Sequence, residues 1–265
     1  MEKSRVLVIG GAGDIGKYIV AASVRLGHPT AILIKEFAPS DIIKVQLLNS
    51  WVNSGASLLK GDLFDHESLV KAIKCADIVI SAVGPHQVAE QTRIVAAIKE
   101  AGSVKRSVPS EFGSDVDRLH TVDPAVSLCR GDTHTYVSCN SFAETYLPSI
   151  GDVTAIGAGP PASKITILGD GDAKAVFVFK DDIATYTMRA VDDARTLNKI
   201  LYMRRPTNVV SHNELISMWE KKAGRTLQKA VFPLNILLSL ALSIFVRGDQ
   251  SNFDIDPAVG VEATS

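Results

Sequence analysis

A chain of 265 residues, 46% hydrophobic and 22% charged, has room for a sizeable core, as one large α/β domain or a domain with a smaller partner. Its 28 Lys+Arg against 29 Asp+Glu give a net charge of −1 and a sequence pI near 6.6, which excludes a basic field for nucleic acid or anionic lipid. Cys75, Cys129 and Cys139 are odd in number and lack C-x-x-C spacing, so reduced thiols are expected rather than a disulfide framework or a zinc site. The first residues carry no signal-peptide pattern, and a cytoplasmic protein is expected.

Apolar runs at 6–9, 31–34, 57–59, 78–83 and 105–108 read as strands, most of them too continuous for a sheet with one wet face. Between them, 14–26, 40–54, 66–75 and 87–102 read as helices, with Asp65 as an N-cap and Leu69, Val70 and Ile73 on one face. This alternation predicts a Rossmann-type doubly wound parallel sheet. After about residue 110 the rhythm breaks. A further strand is expected at 135–139, a loop at 157–164, a hairpin across "ITILGDGDAKAVFVF", and helices at 181–191 and 211–223. The run "LNILLSLALSIFV" (234–246) is too short to span a bilayer and predicts a core helix. The expected division is a dinucleotide-binding domain at 1–155 and a smaller α/β substrate-side region at 156–265.

The glycine spacing in "VLVIGGAGDIGKYIV" carries the first functional signal. Gly10, Gly13 and Gly16 form G-x-x-G-x-x-G after an apolar strand and before a helix, the context a pyrophosphate-binding turn requires. Gly11 and Ile15 belong to the same cradle. Asp14 is foreign to it: a carboxylate about 6 Å from a phosphate costs on the order of 1–3 kcal/mol. The ordinary reading of Asp14 is an acid in the first helical turn whose side chain points to water. Glu36 lies about twenty residues past Gly16, where an acid holds the ribose hydroxyls of NAD. Lys35 and Lys44 offer instead to pair with a 2′-phosphate, and spacing leaves the two dinucleotides even.

At "PSEFGSDVDR" (109–118), joined to the glycine turn and "DIVISAVG" (77–84), the chain resembles the isoflavone reductase-like proteins. These are the phenylcoumaran benzylic ether reductase group of NmrA-like atypical short-chain dehydrogenases. "LGDGDAKAVF", "AVDDARTLNKILYMR", "NELISMWEKK" and "FVRGDQSNFDIDP" extend the similarity along nearly the whole chain. The resemblance implies an NADPH-carrying Rossmann domain, a smaller domain closing the cleft, and hydride transfer to a small aromatic, phenylpropanoid-type substrate. It matches Lys35 to the family's arginine for the 2′-phosphate and Lys44 to its second basic residue. Ser81, Ala82 and Val83 match the strand end beside the cofactor, and Phe142 an aromatic near the nicotinamide. A homodimer is the expected assembly.

The departures bear on catalysis. After 122–125 the family carries a helix with K-x-K-x-x-R, whose first lysine is the general acid/base. Here "VSLCRGDTH" (126–134) passes straight to the next strand, and no lysine occurs from Ser107 to Ser163. A second block is missing between Lys229 and Phe232, and "VEATS" stands before the family's last strand and helix. The chain therefore reads as a shortened member with impaired catalysis. His134 is the stand-in proton donor, histidine being suited to proton delivery near neutral pH, although a solvated strand-edge histidine is its ordinary reading. An NADPH-binding module or sensor without turnover is the alternative.

Overall fold

A computed structural model of the protein describes residues 3–35, 41–118, 133–232 and 239–263. Strands β1 (Val6–Ile9), β2 (Thr30–Ile34), β3 (Ser57–Lys60), β4 (Ile78–Ser81) and β5 (Arg106–Val108) alternate with helices α1 (Gly16–Arg25), α2 (Ile42–Asn53), α3 (His66–Ile73) and α4 (Gln91–Ala101). The strands pair in parallel in the order β3-β2-β1-β4-β5, the doubly wound arrangement. The continuous apolar runs of β1 and β4 follow from burial on both faces. Val6 and Val8 of β1 pack with Ile19 and Val20 of α1, whereas Leu7 and Ile9 pack with Leu69 and Ile73 of α3 and Ile94 of α4. Asp65 caps α3 as expected, its carboxylate accepting the Ser68 N–H at 3.3 Å.

The remaining elements are β6 (Thr135–Ser138), β7 (Ser141–Phe142), α5 (Ala143–Tyr146), β8 (Lys164–Leu168), β9 (Lys174–Val178) and α6 (Lys180–Ala190). They continue with β10 (Lys199–Tyr202), β11 (Val209–Ser211), α7 (His212–Ala223), β12 (Gln228–Phe232), α8 (Ser239–Leu242) and β13 (Gly260–Glu262). The main sheet does not stop at β5. Ser107 forms a parallel bridge with His134, and β6, β10 and β13 follow in parallel. Two strands from beyond residue 156 therefore extend the first sheet, and α6 lies along α1 with Arg25 bound to Asp181 at 3.1 Å and to the Thr185 hydroxyl at 2.6 Å. The sheet crosses the expected 155/156 division.

Three local expectations need correction. The hairpin does not form: β8 pairs in parallel with β12, and β9 pairs with β7 and β11. The five residues 169–173 are enough to let the two strands diverge, with Gly169 and Gly171 at positive φ. The expected helix at 87–102 is a 3-10 turn, Pro85–Glu90, followed by α4. In the apolar run at 234–246, residues 233–238 lie outside the described ones. From Ser239 onward the run is one turn of α-helix and a π-helical turn, Ser243–Arg247, that buries Ile244 and Phe245.

Candidate cofactor cleft and its surroundings

β1 delivers the chain into the glycine turn at the carboxyl edge of the sheet. Gly10 sits at φ 81°, and a Cβ there would lie 2.5 Å from the Ala82 carbonyl oxygen, so the turn rests directly on the end of β4. A Cβ on Gly16 would collide with the Gly10 carbonyl, which explains the third glycine as the close approach of helix to turn. The Gly13 N–H closes the turn onto the Gly10 oxygen at 2.9 Å. No side chain caps α1 at Ile15, itself buried in the core; in the first turn the Lys17 and Tyr18 N–H groups donate to the Gly13 and Ile15 carbonyls at 3.3 and 3.1 Å.

A cleft of about 300 Å3 opens beside this turn. It gathers Gly10, Gly11, Gly13, Lys35, Lys44, Ala82 and Val83, seven of the residues read from the sequence, into one surface. Sequence reasoning missed Asp41 and Gln87, which line it too. Asp41 also caps α2, accepting the Lys44 N–H at 3.0 Å, and thereby places Lys44 in the first turn of that helix. Lys35 follows β2, with its side chain 72% exposed and its ammonium 2.8 Å from Asp62. That hydrogen bond holds the Asp62 carboxyl below its usual range. Glu36 lies outside the described residues. Ser81 is buried at the end of β4, and its hydroxyl finds no partner among the described residues, nor does the Gln91 amide nitrogen nearby. The cradle, the basic pair and the uncapped helix fit a phosphorylated dinucleotide.

Asp14 is exposed, as its ordinary reading has it, but it sits just ahead of the helix and is paired. It precedes α1 by two residues, and both its carboxylate oxygens lie 2.7 Å from the Lys180 ammonium, at the start of α6. The same ammonium stands 5.2 Å from the centre of the Phe142 ring. Lys180, absent from the sequence reading, thus joins Asp14 of the turn to Phe142. Nothing in the local sequence signals a pairing across 166 positions.

His134 lies elsewhere. It is level with Ser107 in the sheet, back from the carboxyl edge, and it lines a second cavity of about 210 Å3 with Glu111, Asp115, Asp117, Tyr136 and Lys199. Its backbone N–H donates to Asn198, and its ring packs 4.6 Å from that of Tyr136. Ser110, the residue before Glu111, donates its hydroxyl to the Val83 carbonyl at 2.8 Å and its N–H to Gln91 at 2.6 Å. Next to it, the Glu111 carboxyl is pushed up to about 7, first by burial and then by Asp117 and Asp115. Glu111, inside the "PSEFGSDVDR" stretch, is a fourth residue that the sequence reading did not single out. Arg130 and Asp132 lie outside the described residues, and no described lysine occupies 107–118 or 133–163.

A parallel 3-2-1-4-5 sheet with an open glycine turn at its carboxyl edge defines a Rossmann-type dinucleotide-binding protein. The chain belongs to the NmrA-like family, whose model matches residues 2–265, and to its isoflavone reductase-like group. It is 50% identical over 290 positions to phenylcoumaran benzylic ether reductase Pyrc5 of Pyrus communis, covering 100% of this chain and 94% of that one. A crystal structure of isoflavone reductase matches with a TM-score of 0.89 at 38% identity, over 98% of this chain and 93% of that one. The binary complex of leucoanthocyanidin reductase with NADPH from Vitis vinifera matches at 0.84 and 35%, over 97% and 92%. Those 290 aligned positions face at most 265 residues here, so at least two dozen positions of the Pyrus protein have no counterpart in this chain. The expected fold, family and shortening are thereby borne out. Among the described residues no helix is long and apolar enough to cross a membrane.

Proposed function

We propose that the protein is an NADPH-dependent reductase of small aromatic, phenylpropanoid-type compounds, with slow turnover. The observation that carries this reading is the single cleft in which the glycine turn, Lys35, Lys44, Ala82 and Val83 meet at the carboxyl edge of the sheet. Gly10 to Gly16 and the start of α1 hold the pyrophosphate, and Lys35 and Lys44 take the 2′-phosphate as point charges. When bound, NADPH supplies the hydride. The elements around Phe142 and Lys180 form the substrate side. Relatives named for benzylic ether and leucoanthocyanidin reduction support the substrate class.

Slow turnover follows from the missing acid/base. A positioned proton donor contributes roughly 10²–10⁴ in rate, and the stretch that carries the family's lysine has none here. Among the described residues, His134 and Glu111 are two proton carriers, and both line the second cavity. Calorimetry with NADPH and NADH, followed by turnover of a phenylpropanoid panel, tests the proposal. The expected result is selective NADPH binding with turnover far below the enzyme median of about 10 s⁻¹. Median turnover abolished by His134→Gln, with NADPH binding intact, would make His134 the working acid. Failure to bind NADPH would end the reading. The absent lysine favours a second reading, an NADPH-occupied module without turnover, which complete inactivity across the panel would select. The same proposal places the protein in the cytoplasm as a homodimer, which sedimentation and cell fractionation check.

A further inference from the structure

The glycine turn carries an acid where a pyrophosphate is to sit, and the structure brings its counterion from 166 positions away. We infer that Lys180 determines cofactor affinity: its ammonium cancels the charge of Asp14, and so allows an acid-bearing turn to accept a dinucleotide pyrophosphate. This rests on the reading of the cleft as the NADPH site.

The surroundings of the pair assign each charge. The Lys180 side chain is only 9% exposed, and its ammonium lies 2.7 Å from both Asp14 oxygens and over the Phe142 ring. The other nearby carboxylate, Glu144, accepts the Lys180 backbone N–H at 2.9 and 3.2 Å. Asp181, the next residue of α6, is bound to Arg25. Lys17 of α1 stands over the Tyr18 ring, 5.4 Å from its centre. Lys180 is therefore the cation paired with Asp14. A buried ammonium is costly unless paired, which commits it to that position. Asp14, by contrast, is 62% exposed on the turn, and without its partner would set a negative charge beside the phosphates.

A tie between α6 and the turn would use the same contact, and the two roles separate in a double-mutant cycle of charge neutralisation. Lys180→Met removes the buried cation and leaves an exposed carboxylate, so folding survives. NADPH affinity should fall about 10- to 100-fold at low salt, as an uncancelled charge roughly 6 Å from a phosphate requires, and much less at 0.5 M salt. Asp14→Asn/Lys180→Met should recover most of that loss. Lys180→Arg, which keeps the charge, should bind within about threefold of wild type. Asp14→Asn strands the buried ammonium and should lower the melting temperature of the free protein more than Lys180→Met does. Wild-type affinity in Lys180→Met, or a double variant as weak as Lys180→Met, overturns the inference and leaves a structural tie. Absence of NADPH binding in the wild type takes down the cofactor reading itself.

Discussion

Lys35 holds one anion and is proposed to bind another. It is exposed and already bound to Asp62, so contact with a 2′-phosphate requires it to exchange one partner for another. Lys35→Ala should therefore weaken NADPH binding by about 1.5 kcal/mol, the lower end for a charge-assisted contact, and leave NADH binding nearly unchanged. Equal loss for both dinucleotides in calorimetry would remove Lys35 from the 2′-phosphate site. Glu111 gives a pH-dependent expectation. Its carboxyl titrates near 7 in the folded chain and in the ordinary range, about 4.3, once unfolded. Between those values the unfolded chain releases a proton that the folded chain keeps, so stability falls as pH rises toward 7 and levels off above. Glu111→Gln should raise the melting temperature at pH 8 and leave it unchanged at pH 4. A gain of the same size at both values would show that charge is not the cause.

α7 shows how a short local signal decides an element. The Ser211 hydroxyl accepts the Glu214 N–H at 3.2 Å, and the Glu214 carboxylate accepts the Ser211 N–H at 2.7 Å, a reciprocal cap at the helix start. Ser211→Ala should cost about 1 kcal/mol in urea unfolding. No change would mean that the ion pair of Glu214 with Lys174 holds the helix start unaided. The strands at 164–178 show the opposite case. Their residues were legible as strands, but a glycine-rich tip does not choose partners, and β8 and β9 joined different sheets. Strand identity is written in apolar runs and alternation within a few residues. Pairing depends on surfaces far along the chain.

Across the whole molecule, stability should follow the sheets rather than the halves of the chain. β1 and β4 are buried on both faces, and β10, although late in sequence, pairs between β6 and β13 in the extended sheet. Among the described residues β12 has one strand partner, β8, and it leaves Gln228, Lys229 and Val231 exposed. Two-stranded units are weak alone, so β12 should exchange its amide hydrogens well before β10. Hydrogen exchange with equal protection of the two strands would contradict this. Buried Arg106 reinforces the coupling, reaching from β5 to the Ala190 carbonyl at 2.5 Å and the Thr196 hydroxyl at 2.9 Å.

What the sequence determined by itself was local and periodic: the five alternating strands, the glycine turn, the cap at Asp65, and the basic pair at Lys35 and Lys44. Each depends on residues within one or two turns of one another, or on a motif whose spacing is its chemistry. The tertiary structure alone decided that Asp14 meets Lys180, that His134 and Glu111 face a different cavity from the glycine turn, and that β10 and β13 complete the first sheet. The reason is physical. An ion pair, a raised carboxyl or a strand partner belongs to atoms brought together by packing, and a residue type at one position does not say which distant charge or strand will be set beside it.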